Sequence, residues 1–315
     1  MTDTPSVSSN TGLWARLQAS DLLHAYRNSP AAVIASAVLV LIALSALFAP
    51  LIAPQDLRDA TSFDLMDGFT PPMSANEFTG RFFLLGADDQ GRDVLSALLF
   101  GLRASLIVGI CAVALSALIG VTLGLIAGYA GGLADSLIMR AADVQLAIPG
   151  ILVALLIFGL TRSILPTGLR DALAIYVVIL AIGLSDWVSY ARTVRSAAMV
   201  EMRREYIQAA IMMGRPARAI LRRHLLPNVA QPIMVIATIN FALAVIAEST
   251  LSYLGAGLPP TQPSLGTLIR IGQQFLFSGE WWLLFFPGLL LLVLALSINL
   301  LGDWLRDTLN PRGLS

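Results

Sequence analysis

Three carboxylates, Asp143, Asp186 and Glu248, stand inside or at the edges of long apolar stretches of this 315-residue chain. Charge in such surroundings is expensive, and where it persists it caps a helix end, pairs with another charge or serves function. Asp143 and Asp186 fall near the ends of their stretches, within reach of Arg140 and Arg192, so helix-end solvation or ion pairing accounts for them. Glu248 lies deeper. Other chemistry is excluded by composition. His24 and His224 are far apart and lack neighbours at metal-ligand spacing, so neither a metal nor a haem site is expected. Cys111 is the single cysteine, which rules out an internal disulfide. No Ser/His/Asp or Cys/His constellation is present, so no catalytic residue is assigned. All 20 basic residues are arginine, and a phosphate-binding P-loop needs a lysine. The chain therefore hydrolyses no ATP by that route, and a net charge of +0 argues against a nucleic-acid partner.

A second constellation is mechanical. Between Ala191 and Asn228 lie eight arginines and no long apolar run. A helix through Tyr206 to Met213 groups Tyr206, Ala209, Ala210 and Met213 on one side. Two adjacent small residues let such a face approach another protein closely. Gly214 ends the helix, and Pro216 suits the first position of a second short one. The plainer reading is a basic loop that fixes topology or touches anionic lipid.

The elements that must hold these residues are membrane helices. Hydrophobic residues make up 57% and charged residues 13% of the chain, whereas a soluble domain carries roughly a quarter charged. Six stretches can cross a hydrocarbon layer about 30 Å thick. The first is charge-free from Pro30 to Pro54 and too long for a cleaved signal peptide. The second is uncharged from Ala104 to Ala134, with an exit turn at Gly128 to Gly132. The third covers Leu137 to Phe158 with a kink at Pro149. The fourth runs from Ala172 past Asp186 to about Tyr190, the fifth from Asn228 to Ser252, and the last from Trp281 to Gly302. Thirteen of the 20 arginines lie on one side if both termini are cytoplasmic, which gives an N-in, C-in topology.

The organisation expected is a cytoplasmic tail (1–30), a first membrane helix (31–54), an external loop (55–103), a core of five helices (104–302) containing the cytoplasmic loop 191–228, and a C-terminal tail (303–315). A turn capping the second span through Asp88 or Asp89 is expected. Trp281 and Trp282 are expected at the membrane interface.

The segment Gln208-Ala209-Ala210, Gly214, His224, Leu226 and Pro227 is similar to the "EAA" loop of ABC import permeases, Glu-Ala-Ala-x3-Gly-x9-Ile-x-Leu-Pro. Glutamine replaces the motif glutamate and His224 its isoleucine; Glu205 supplies a carboxylate three residues earlier. Leu85 to Ser96 resembles the Gly-Thr-Asp-x-x-Gly-Arg-Asp signature of dipeptide and oligopeptide permeases of the DppC/OppC kind, with Ala87 in place of threonine. Gly124 to Gly132, Asp143 to Pro149, Leu251 to Gly257 with Pro259-Pro260, Phe286 to Gly288, Asn299 to Asp307 and Asn310 to Arg312 extend the likeness.

The resemblance implies an all-α, type I ABC importer permease in the bacterial inner membrane. It implies a second permease, two ATP-binding subunits that hold ATP and Mg, a solute-binding protein and surrounding lipid as partners. The cargo it implies is a dipeptide or oligopeptide, with a nickel complex or another small solute as alternatives. Glu205, Gln208, Ala209, Ala210, Gly214, His224, Leu226 and Pro227 become the candidate ATPase-coupling residues. Glu248 becomes a candidate for the substrate pathway, where a peptide's amino terminus needs a carboxylate, although a hydrogen bond to the Leu251–Gly255 turn explains it equally. A secondary transporter would call for an internal repeat and paired broken helices, and no repeat is found.

Overall fold

The computed structural model describes residues 25–57, 59 and 62–309; Arg58, most of the N-terminal tail and Asn310 to Arg312 lie outside them. Helix α1 (Pro30–Leu47) precedes an external segment with a two-residue hairpin, β1 (Ser74–Ala75) and β2 (Phe82–Phe83). Next come α2 (Val94–Ala130), α3 (Gly132–Leu146), α4 (Gly150–Ile164) and α5 (Ala174–Glu201). Two short helices, α6 (Glu205–Met212) and α7 (Ala217–Ile220), lead into α8 (Leu226–Tyr253). Helix α9 (Leu265–Phe275) lies in the second external loop, and α10 (Trp282–Leu309) ends the described chain.

Among the described residues five helices are long and apolar enough to span a membrane, and the bent pair α3–α4 makes a sixth if counted as one. The kink expected at Pro149 is a corner of 94°. Proline lacks an N–H and pushes the residue before it out of helical backbone, so α3 stops short of Ile148. Gln145 holds the corner against α5. Its Nε2 donates to the carbonyls of Leu184 (2.9 Å) and Ser185 (2.8 Å), and its Oε1 accepts from Trp187 Nε1 (2.7 Å).

Three helices run past the bounds set by the uncharged stretches. Helix α2 starts at Val94, before the uncharged run begins, because Asp93 caps it: its Oδ2 accepts from Ser96 N (2.8 Å) and Ser96 Oγ (2.6 Å). Asp88 and Asp89 do not cap. Asp88 instead accepts from Arg92 Nε (2.6 Å) and from the backbone of Gln90 and Arg92, while Arg92 Nη1 donates to Pro260 O (3.1 Å). The signature Leu85–Ser96 is thus a clasp between the two external loops. Trp282 belongs to it as well, buried with its Nε1 donating to Ala87 O (3.3 Å), while Trp281 is half exposed. Only one of the two tryptophans is therefore free to anchor at an interface. Helix α5 continues to Glu201, well past its expected end, and α10 continues to Leu309 where a tail was expected.

The pair α2–α5 is the frame. Gly120, Gly124 and Gly128 recur at four-residue spacing on α2, one above the other. A Cβ on Gly120 would lie 2.3 Å from Trp187 O, on Gly124 2.6 Å from Ala191 O, and on Gly128 2.7 Å from Ala198 Cβ. Backbones that close are the small-residue mode of membrane helix packing, where contact replaces the hydrophobic drive that lipid removes. Gly128 is consequently part of the helix interface and not of an exit turn, which falls instead at Gly131 and Gly132 with φ +61° and +52°.

Gly124→Leu is expected to destabilise the purified protein by about 1–3 kcal/mol through overpacking, read as a lowered Tm in detergent. Gly159→Leu, where nothing lies within 4 Å of the added Cβ, leaves Tm unchanged.

Candidate functional site

Helix α6 is eight residues long, too short to persist on propensity alone, so it must bury a face. Ile207 (0% exposed) and Ala210 (4%) do this. Ile207 packs with Ile220, Leu225 and Val229 and with Leu125, Val194 and Ala198 of the α2–α5 frame, and Ala210 is buried on the same side of the helix. The grouping expected from the sequence therefore splits. Tyr206, Ala209 and Met213 face outward with Met212, whereas Ala210 faces the interior. Glu205 occupies the first turn, where a carboxylate complements the positive end of the helix.

Gly214 closes α6 with φ +69°. Its N–H bonds Ile211 O (2.9 Å) and the N–H of Arg215 bonds Ala210 O (3.1 Å), a Schellman stop that needs a residue without a side-chain penalty there. Pro216 precedes α7 as its cap, and not as its first residue. A five-residue π turn, Leu221–Leu225, follows, in which Leu226 N bonds Leu221 O. Pro227 cannot donate to the carbonyl of Arg223, which fits the one-residue slip in the ladder at this point. His224 sits in the turn, and Leu226 and Pro227 open α8 on its exposed side.

The loop is tied at its base by side chains that the motif does not contain. Tyr206 OH donates to Glu201 and accepts from Asn228 Nδ2 (2.8 Å), and Asn228 Nδ2 also reaches His224 O (2.7 Å). The Tyr206 and His224 rings lie 5.9 Å apart. Desolvation, and then the bond to Glu201, push the Tyr206 phenol up to about 12, so it remains a donor at neutral pH. Gln208 Nε2 donates to Met202 O (2.7 Å), just past the end of α5. A glutamate here has no proton to offer that carbonyl, so the motif residue is not an improvement in this chain. Glu201, Asn228 and Ile207 were missed in the sequence because each looks like ordinary loop or helix filling until the loop folds back on α5.

Two further ion pairs lock α3 to α5, Asp135–Arg195 and Asp143–Arg192. Asp143 thus pairs as expected. Asp186 does not: the helix runs on past it, so it lies near the middle of α5 and not at an end. Glu248 is fully buried. Its carboxylate accepts from Ser105 Oγ (2.6 Å) and Ser252 Oγ (2.7 Å), while Ser105 Oγ accepts from Leu265 N (3.3 Å) and Ser252 Oγ from Leu258 N (3.3 Å). Glu248 is a knot joining α2, α8 and the start of α9. Its bond to Ser252 is the contact with the Leu251–Gly255 turn that the hydrogen-bonded reading of this residue expects.

Comparison with known proteins agrees with this architecture. Residues 120–313 match the family model described as "Binding-protein-dependent transport system inner membrane component", and residues 18–72 match the N-terminal TM domain of oligopeptide transport permease C. The chain is 37% identical over 274 residues to the di/tripeptide transport system permease protein DppC of Pseudomonas aeruginosa, covering 87% of this chain and 86% of the relative. It is 36% identical over 287 residues to the dipeptide transport system permease protein DppC of Haemophilus influenzae, covering 91% and 92%. The oligopeptide transport system permease protein OppC of Bacillus subtilis is 32% identical over 292 residues, covering 93% and 89%. A chain of the MetNI methionine ABC transporter, solved in an inward-facing conformation, shares the fold with a TM-score of 0.52 at 24% identity, over 68% of this chain and 97% of that one. Fold and site together define a multi-pass inner-membrane permease. The chain belongs to the binding-protein-dependent transport system inner membrane components, in their dipeptide/oligopeptide (DppC/OppC) branch.

Neighbouring alanines should respond oppositely to charge. Ala210→Glu buries a carboxylate under α6 and is expected to lower Tm by several degrees or block accumulation, while Ala209→Glu leaves Tm unchanged. Gln208→Glu removes the bond to Met202 and is expected to cost about 1 kcal/mol, measured as faster hydrogen exchange in residues 202–214.

Proposed function

We propose that this chain is one of two permeases in an ATP-driven importer for peptides or similar small solutes, with both termini in the cytoplasm. ATP and Mg are held by two partner ATPases, and a solute-binding protein delivers cargo to the external face. The observation that carries this reading is α6: an exposed face of Ala209, Met212 and Met213 on a helix whose Ile207 is buried against the α2–α5 frame. A docking surface on a rigid lever suits the transfer of motion from another protein. The absence of lysine, and so of a P-loop, supports an energy source on a separate subunit. Peptide cargo is supported by the names of relatives that match along most of the chain. The structural role of Glu248 leaves cargo recognition to other residues.

The test is reconstitution with the second permease, the ATPases and the binding protein in proteoliposomes. Wild-type complex is expected to hydrolyse ATP faster when loaded binding protein is added. Gly214→Asp, which puts charge and a side chain at the left-handed stop beside the docking face, is expected to abolish that stimulation while the second permease still co-purifies. Uptake driven by an ion gradient without any ATPase would contradict the reading.

A further inference from the structure

Asp186 is a charge in the membrane with no counterpart among the described residues. It lies about 18 Å along α5 from the external end, at ~1.5 Å per residue, well inside any hydrocarbon layer. Asp135, Asp143 and Glu248 all find partners. The Asp186 carboxylate makes no hydrogen bond or ion pair with any described residue. It lines an open cavity of about 400 Å³ between α4, α5 and α8, together with Gly150, Ala154, Ser185, Ala247 and Thr250. Ile151, Ile182, Leu243 and Ile246 make the rest of the lining apolar, and a polar contact joins α5 to α8 elsewhere on their seam, where Asn240 Nδ2 donates to Ser189 Oγ (3.1 Å).

A lone carboxylate cannot face lipid without a large cost, because no water or dipole there replaces its hydration. This side of the molecule must therefore meet water or a protein partner. Small residues at Gly150, Ala154 and Ala247 keep the space in front of the carboxylate open. A carboxylate lining such a space fits a protonated amine, the group that every peptide with a free amino terminus carries.

We propose that Asp186 lines the solute pathway at the junction with the second permease and holds the cationic end of the cargo during passage. This assignment rests on the importer reading above and gives that pathway a specific chemistry.

Two measurements on the assembled importer in proteoliposomes test it. In the first, Cys111→Ser is combined with Asp186→Cys, and charged methanethiosulfonate reagents are added. The pathway assignment expects the introduced thiol to be modified by both the aminoethyl and the sulfonatoethyl reagent, since both need water; no modification by either would overturn it. In the second, uptake of radiolabelled dialanine is compared for wild type, Asp186→Asn and Asp186→Glu. Asn is expected to lower uptake per ATP hydrolysed about tenfold, the loss of one charge-assisted hydrogen bond, and Glu to restore most of it. Uptake by Asn equal to wild type would overturn the assignment. So would loss of the second permease from the Asn complex, which would make Asp186 an interface ion pair instead. If wild-type complex shows no ATP hydrolysis stimulated by binding protein, the importer reading itself fails; normal stimulation with unchanged uptake by Asn removes the assignment alone.

Discussion

The end of this permease that carries α6 and α7 depends on one contact, the glycine stripe of α2 against α5. Water-soluble helices are driven together by the hydrophobic effect, but in lipid that drive is absent and close packing must replace it. Gly120, Gly124 and Gly128 bring the two backbones near enough for the pair to behave as one body. Because α5 runs beyond the apolar layer to Glu201, that body reaches the base of the loop. Leu125 of α2 and Val194 and Ala198 of α5 then form the floor on which Ile207 sits.

The external side is built on polar closure instead. Asp88 with Arg92, Arg92 with Pro260 O, Asp93 with Ser96, and Trp282 with Ala87 O fasten two loops and the start of α10 around the head of α2. Glu248 does the same one layer deeper, with serines from α2 and α8. Glu248 is satisfied by its serines, and the clasp pairs most of its buried polar groups, leaving Arg92 Nη2 and Asp89 Oδ1 without a partner among the described residues. Asp186 differs from Asp135, Asp143 and Glu248, the other carboxylates of the apolar helices discussed above, in having no partner among the described residues.

Much of the fold was legible in the sequence. Long uncharged runs located the membrane helices, and Gly214 and Pro227 bounded the loop because their backbone restrictions act locally. What escaped depended on long-range packing. Helix ends differ from the uncharged stretches by seven to eleven residues. Helices α5 and α10 run on past their charge-free runs to Glu201 and Leu309, and α2 starts at Val94 because Val94–Leu102 is mostly buried in the core and the charge of Arg103 does not interrupt the helix. Gly128 reads as a turn former in isolation, and only the approach of Ala198 reveals it as an interface residue. The inward turn of Ala210 was equally hidden, because apolar residues at Ile207, Ile211 and Met212 surround α6 and no single face stands out.

The central claim is that the outward face of α6 is the surface touched by the ATPase. Ala209→Cys and Ala210→Cys, each in a Cys111→Ser background, can be treated with a short thiol-reactive crosslinker in the assembled importer. The account predicts that the thiol introduced at position 209 joins this chain to an ATPase subunit and the one at position 210 does not. An assembled, active complex in which the Ala209→Cys variant gives no crosslink to the ATPase would contradict it.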